Sequence, residues 1–371
     1  MIRAHRIRLA PNNVQATCLA KAAGVARFSY NWALREWQQQ YEAAKNNPAL
    51  PKPNEAALRR KLNAIKRSAF PWMLEVTKNA PQMAIIHLGK AFDNFFARRT
   101  HYPTFRRKGR DDHFTITNDQ FSVDDKRIRI PKLGWVRMRE SLRLGGHIVS
   151  ATMSRHAGHW YASISVDMPD DPQPLQAENQ GALGVDMGIT ALAVLSNGEK
   201  VAGPKALNKL LKRLRRLGRS LSRTVKGSCN RTKAKLKLAR LHARIADIRR
   251  DSQHKLTTSV TRRFQTIVIE DLNVHGMLKN HKLARAIADV GFSELRRQFL
   301  YKAAMRGGTV VVADRWYPSS KLCSSSGYKL DTLDLGTRTW ICPCCRAHHD
   351  RDINAAINLR NLAVSSTVHA C

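Results

Sequence analysis

The sequence predicts a multidomain protein, α+β in its first part and α/β in its second, and three observations carry that prediction. Residues 101–169 hold short period-two runs, Phe114 to Thr117, Arg127 to Ile130, Trp135 to Met138 and Trp160 to Val166, the pattern of a small antiparallel barrel or sandwich. Beyond residue 181 the order becomes hairpin, helix, strand, helix, strand, cysteine cluster, helix. At 371 residues and 43% hydrophobic content, the chain exceeds one ordinary core and has the apolar material for two or three.

Taken in order, "IRAHRIRL" alternates as a strand, so residues 1–10 are read as the first strand of the barrel. Residues 11–100 read as helices, with a punctuation expected at Gly24. Their aromatics, Phe28, Trp32, Trp37, Phe92, Phe95 and Phe96, recur at helical spacing and belong to a core rather than to base-stacking platforms. The barrel resumes over 101–169, where Pro131, Gly134 and Gly145-Gly146 part its strands. "DDPQPLQAENQG", 170–181, has two prolines and no hydrophobic period, and reads as a linker. Apolar runs on either side of Gly188, closed by "NGE", then predict a buried hairpin. Leu207, Leu210, Leu214, Leu217 and Leu221 step by threes and fours, as do Ala234, Leu238, Leu241, Ile245 and Ile248. Such seams predict a helical hairpin within 205–263. The strand "TIVIED", a helix through Arg296 to Met305 and the strand "GTVVVAD" complete a part spanning 182–317. A cysteine knuckle over 318–347, a final helical stretch over 348–363 and a tail, 364–371, follow.

Lys plus Arg outnumber Asp plus Glu by 64 to 28, a formal net charge of +36 that repels itself unless a polyanion neutralises it. Nucleic acid is therefore the leading partner and an anionic membrane surface the second. No apolar run approaches the roughly 18 residues of a spanning helix, and "MIRAHRIRLAPNN" lacks the apolar core of a signal peptide, so the expected location is the cytoplasm, with the DNA. Between Lys205 and Arg263 stand 20 Lys or Arg against Asp247 and Asp251, half of the whole net charge. A helix face so lopsided is expected to lie along phosphates, with Arg213, Arg216, Arg240 and Arg244 as its candidate contacts. Of seven cysteines, Cys323, Cys342, Cys344 and Cys345 cluster, which suits a metal knuckle in a reducing compartment; Cys18, Cys229 and Cys371 read as ordinary thiols.

Three carboxylates stand where the hydrophobic pattern disfavours them. Asp186 interrupts "ALGVDMGI", Glu270 ends "TIVIE", and Asp352 opens the "INAAINL" helix. Singly they read as a turn residue, a strand end and a helix cap. Together they occupy two strand positions and an adjoining helix start of one α/β lobe, where gathered carboxylates must be protonated or bind cations. For a protein suited to phosphodiesters, the expectation is two Mg²⁺ ions about 4 Å apart, which lower the pKa of an attacking water and stabilise the departing oxyanion. The small Ala355 and Ala356 would let the last helix approach the sheet. Asp350 is assigned to the turn that presents Asp352, and His349 and Arg351 are candidate contacts of the scissile phosphate.

"GVDMGI", "VIEDLNV" and "HDRDINAAINL", in that order and flanking a cysteine knuckle, resemble the RuvC motifs of the TnpB proteins, transposon-encoded relatives of type V CRISPR effector nucleases. "ARFSYNWAL", "YPTFRRKG" and "RDSQHKLTTSV" match as well, so the resemblance covers nearly the whole chain. It implies a wedge-type β-barrel with an inserted helical recognition bundle, then an RNase H-like (RuvC) nuclease domain with an inserted zinc-ribbon-like knuckle. It implies RNA-guided cleavage of double-stranded DNA beside a short transposon-adjacent motif, with a guide RNA from the transposon end. Its catalytic, Mg²⁺-binding acids fall on Asp186, Glu270 and Asp352, and its motif-reading positions on Lys78 and Gln82 in "TKNAPQM". Gln pairs bidentately with adenine and Lys donates to guanine or phosphate. One departure concerns the knuckle: "CSSSG" places Ser326 where a second cysteine belongs. Zn²⁺ is expected on Cys323, Cys342 and Cys345, with Cys344 or a histidine such as His348 as candidate fourth ligand. Two other functions compete, a guided DNA-binding protein without cleavage and an unguided transposase or resolvase. The intact acids oppose the first; the N-terminal lobe and the absence of a tyrosine or DDE-type site oppose the second.

Overall fold

The computed structural model describes residues 1–169, 177–334 and 336–368, without the side chains of 364–368. The linker expected at 170–181 and the tail at 364–371 thus lie partly outside the described residues, as does Cys371. The chain divides into two compact units, Met1–Asp171 and Pro172–Cys371, each of mixed helix and sheet.

The first unit runs β1 (Ile2–Arg8), α1 (Asn13–Asn46), α2 (Glu55–Ala69), α3 (Asn79–Phe96), β2 (His113–Thr117), β3 (Ser122–Asp124), β4 (Arg127–Ile130), β5 (Gly134–Arg137), β6 (His147–His156) and β7 (His159–Asp167). Its strands make an antiparallel sheet in the order β1-β7-β6-β2 and a second, β3-β4-β5. Period-two alternation sends Trp160, Ala162, Ile164 and Val166 of β7 inward. They join Leu34, Phe92 and Ile116 in a core shared by helices and sheet. Asn12 and Gln15 form a reciprocal capping box that starts α1. The break expected at Gly24 does not occur: α1 is continuous, because its neighbours Ala22, Ala23, Val25 and Ala26 are all buried. One interior glycine costs only about 1 kcal/mol. Two stretches that matched the family dock on each other. Asn31 and the backbone of Arg106 exchange hydrogen bonds of 2.8 and 3.0 Å, and the Arg106 guanidinium lies 3.7 Å above the Tyr30 ring.

The second unit runs β8 (Ala182–Asp186), β9 (Ala193–Leu195), β10 (Lys200–Val201), α4 (Ala206–Ser222), α5 (Cys229–Arg263), β11 (Thr266–Glu270), α6 (Val274–Leu278), α7 (Ala284–Val290), α8 (Phe292–Ala304), β12 (Thr309–Ala313), β13 (Thr339–Ile341), β14 (His348–Asp350) and α9 (Arg351–Val368). Its sheet has the order β10-β9-β8-β11-β12, with β8, β11 and β12 parallel. The predicted seam packs α4 on α5 through Leu207, Leu210, Leu214 and Leu217 against Leu241, Ile245 and Ile248. In "RDSQHKLTTSV", Gln253 donates to the carbonyls of Val290 and Gly291, and Thr257 donates to Gln298. That stretch is a buried polar brace for α8. Among the described residues no helix is long and apolar enough to cross a membrane.

Candidate active site and cysteine knuckle

The site grows from the ends of two parallel strands. The register pairs Val185 of β8 with Ile269 of β11, so Asp186 and Glu270 follow side by side at the carboxyl edge of the sheet. That edge is where an open α/β sheet presents its ligand site. The helix α9 brings Asp352 in its first turn, and it lies close against β8 because both surfaces are small. Ala355 and Ala356 are fully buried, and a Cβ on Gly184 would stand 1.9 Å from the Ala356 carbonyl oxygen. Gly184 is half of this close approach and was not singled out in the sequence, although a glycine inside a strand signals such a contact.

Burial, then the charges of Glu270 and Asp352, push the Asp186 carboxyl well above the usual carboxylate range, against a downward pull from Arg351. Burial likewise raises Glu270, opposed by the Ser319 hydroxyl and Arg351. The three acids are thus electrostatically coupled but not crowded. Among the described residues, three ligand atoms come within 4.8 Å of one another only in the cysteine group.

The two aspartates of "HDRD" have separate tasks. Asp350 Oδ1 accepts from the backbone N–H groups of Asp352 and Ile353, both at 3.1 Å, and so caps α9. Its other oxygen accepts from Lys200 at 2.6 Å. Burial works upward on Asp350, but Lys200 and the Ile353 N–H outweigh it and hold its carboxyl below the ordinary value. Asp352 is therefore free of the capping role. It is 29% exposed and faces Arg338 at 3.9 Å. Arg351 Nη1 donates to the Asp334 carbonyl at 2.9 Å, so it is tied to a loop. Asp271, beside Glu270, is occupied by Arg296 and Arg315, both at 2.6 Å.

Three positioning residues escaped the sequence reading. Ser319 is buried and donates to Glu270 Oε1 at 2.7 Å. Asn358 donates to the carbonyls of Ser319 and Leu322, and Asn354 donates to Leu322 and accepts from the Ser324 N–H. Both asparagines are almost wholly buried, and they fasten the stretch before the knuckle to α9. Two polar residues four apart on an otherwise apolar helix face were the available signal.

In the knuckle, the sulfur atoms of Cys323, Cys342 and Cys345 lie within 4.8 Å of one another. Burial pushes the Cys342 thiol up, but backbone N–H groups of Cys345 and Cys344 and the Ser326 hydroxyl bring it down to about 6. A thiolate there is ready for a soft cation. The candidate fourth ligands Cys344 and His348 are both exposed and stand outside the cluster. His349, expected near phosphate, is instead buried in the knuckle, 3.0 Å from Cys323 Sγ and against the Trp340 ring.

The remaining candidates lie elsewhere. Lys78 and Gln82 are exposed at the start of α3, where Lys78 borders a cavity of about 340 Å³ shared with Lys66, Gln120 and Lys132. Arg213, Arg216, Arg240 and Arg244 are all exposed on the α4–α5 hairpin.

Comparison with known proteins gives matches in both units of the chain. A family model described as "Probable transposase" matches residues 163–281, a Cas12f1-like TNB domain matches 292–359, and a helix-turn-helix domain of the same transposase group matches 1–46. A Streptomyces pristinaespiralis protein named "Putative RNA-guided DNA endonuclease" is 39% identical over 100% of this chain and 90% of its own length. "Putative RNA-guided DNA endonuclease InsQ" of Escherichia coli K12 is 33% identical over 100% of this chain and 94% of its own. The solved structure of CasPhi-2 (Cas12j) bound to crRNA is similar at a TM-score of 0.46 and 10% identity, over 98% of each chain, a level from which no residue correspondence follows. Whole-length identity to these two relatives, with the acids and the knuckle set in the stretches that the family models match, makes the chain a member of the TnpB family, the OrfB proteins of IS605-type transposons.

Proposed function

We propose that this chain is a transposon-encoded, RNA-guided DNA endonuclease in which Asp186, Glu270 and Asp352 hold two Mg²⁺ ions. The observation that carries the proposal is the pair Asp186 and Glu270 at adjacent strand ends, both raised by burial and Asp186 also by the charge of Glu270. Such carboxylates are costly at neutral pH without added positive charge, so hard oxygen donors here fit Mg²⁺. When bound, the ions would activate a water and stabilise the leaving oxyanion. The chain's own residues prepare the place: Ser319 orients Glu270, Asp350 caps α9 and leaves Asp352 available, and Gly184 admits the helix. No nucleophilic side chain is needed.

The names of the relatives support a guide RNA and a DNA target. On that reading the exposed arginines of the α4–α5 hairpin follow the backbone of a guide-target duplex, which proteins recognise through phosphates and A-form shape. Lys78 and Gln82 read the motif beside the target, and Zn²⁺ sits on Cys323, Cys342 and Cys345. Residues 1–10 and 101–169 are taken as the wedge, 11–100 as the recognition bundle, and 182–317 with 348–363 as the RuvC-like nuclease.

The test begins with protein purified without added nuclease. Sequencing of co-purified RNA is expected to return a transposon-end transcript, and double-stranded DNA matching it is expected to be cut only with Mg²⁺. Cutting that ignores the RNA would replace this reading with an unguided transposase or resolvase. Guided binding without cutting would replace it with an inactive binder.

A further inference from the structure

The two turns of the knuckle are built alike. In the first, the Cys323 carbonyl accepts from the Gly327 N–H at 2.9 Å; in the second, the Cys342 carbonyl accepts from the Arg346 N–H at 3.0 Å. Both closing residues take the left-handed conformation, with φ of 75° at Gly327 and 60° at Arg346. Ser326 is therefore the counterpart of Cys345. Its hydroxyl lies 3.5 Å from Cys342 Sγ and accepts from the Tyr328 N–H at 3.3 Å. An alcohol must lose a tightly held proton to match a thiolate, whereas a neutral imidazole offers a lone pair directly.

His349 is that imidazole. It sits in β14 opposite Trp340, is 8% exposed, and its ring centroid is 4.7 Å from the Trp340 ring. Its Nε2 stands 3.0 Å from Cys323 Sγ, although it lies outside the set of three sulfurs that are all within 4.8 Å of one another, so the ring must shift to reach an ion they share. Around a tetrahedral zinc, with Zn–S near 2.3 Å and Zn–N near 2.0 Å, neighbouring S and N atoms are roughly 3.5 Å apart. The pair already stands near the length of one edge of such a tetrahedron, slightly compressed.

We infer that His349 supplies the fourth ligand of the knuckle, converting a damaged Cys₄ site into Cys₃His. The inference rests on the reading of the knuckle as a zinc site. Its consequence reaches further than the knuckle, because His349 directly precedes Asp350, the cap that sets Asp352. One metal ion would then fasten the cysteine turns to the start of α9.

The test is made on the full chain and reads metal, not cleavage. Zinc-edge X-ray absorption of the wild type is expected to give three sulfurs near 2.3 Å and one nitrogen near 2.0 Å with imidazole outer-shell scattering. In chelator competition, His349→Ala should lose zinc affinity by about tenfold or more. Ser326→Ala should hold zinc as the wild type does, and His349→Ala with Ser326→Cys should regain it. Wild-type zinc affinity in His349→Ala, zinc loss in Ser326→Ala, or a spectrum without imidazole would overturn the role of His349 while leaving zinc in place. Wild-type protein without stoichiometric zinc would overturn the zinc reading and this inference together. The absorption spectrum needs no variant, so a misfolded His349→Ala would not leave the question open.

Discussion

Asp350 and Asp352 are two residues apart, yet one is spent on backbone N–H groups and Lys200 while the other meets Arg338 at 3.9 Å and caps nothing. With Asp352 as a Mg²⁺ ligand, as proposed, its replacement by Ala should lower cleavage by roughly a thousandfold or more, because an oxygen that holds the ion would contribute several kcal/mol in the transition state. Asp350→Ala should cost about 0.5–2 kcal/mol of stability as a lost cap, with a smaller loss of cleavage; an inverted order in cleavage and melting assays would reverse the assignment. Asp186 carries a pH dependence whose sign is opposite to the common salt-bridged case. Its carboxyl is raised in the fold, so the folded state holds a proton that the unfolded chain has already lost. Stability without divalent ions is then present at low pH and falls as pH rises through the raised value. Asp186→Asn should melt higher than wild type in chelator at neutral pH, and Mg²⁺ should raise the wild-type melting temperature while leaving the variant unmoved. Gln82→Ala should broaden the flanking motif recovered from a randomised cleavage library more than it weakens binding; an unchanged motif would remove Gln82 from that role. The acids were legible because one interrupts an apolar run, one ends a run and one opens an apolar helix. Ser319, Asn358 and His349 were not, because each acts through a partner far along the chain, Glu270 lying 49 residues from Ser319.

Among the elements, the contact of α9 with β8 has the least slack. A methyl group on Gly184 would meet the Ala356 carbonyl at 1.9 Å and the Arg360 nitrogen at 2.6 Å, both backbone atoms that cannot rotate aside. Gly184→Ala should therefore exceed the usual overpacking cost of about 1–3 kcal/mol. A thermal melt of the full chain should show a clear drop, and an unchanged melt would mean that α9 can slide. Periodicity made the individual elements readable: β1 and β7 by alternation, α4 and α5 by their leucine seam. Sheet order was beyond it, since nothing local places β8 between β9 and β11. Gly24 misled for a related reason, because helix propensity is a small local quantity and the burial around it is tertiary. The stretches "ARFSYNWAL", "YPTFRRKG" and "RDSQHKLTTSV" turn out to hold the protein together: they pair Asn31 with Arg106 and brace α8 through Gln253.

At the scale of the molecule, a net charge of +36 is a standing demand for counterions. In the α4–α5 hairpin, Arg250 and Lys255 are met by Asp247 and Asp251, but Arg213, Arg216, Arg240 and Arg244 have no acidic partner among the described residues. Changing these four together to Gln should flatten the dependence of log affinity on log salt by up to about four units, with specificity nearly unchanged. A slope equal to wild type would place this charge toward solvent. The meeting of Asp186, Glu270 and Asp352 has one more consequence, in time. A ribosome delivers Asp352 roughly 80 residues after Glu270, on the order of 4–16 s later at ordinary rates of synthesis. Until then the chain carries two of the three acids and not the helix that packs on Gly184. A chain that stops short of residue 352 therefore carries the basic hairpin, with its attraction for polyanions, but lacks the third carboxylate.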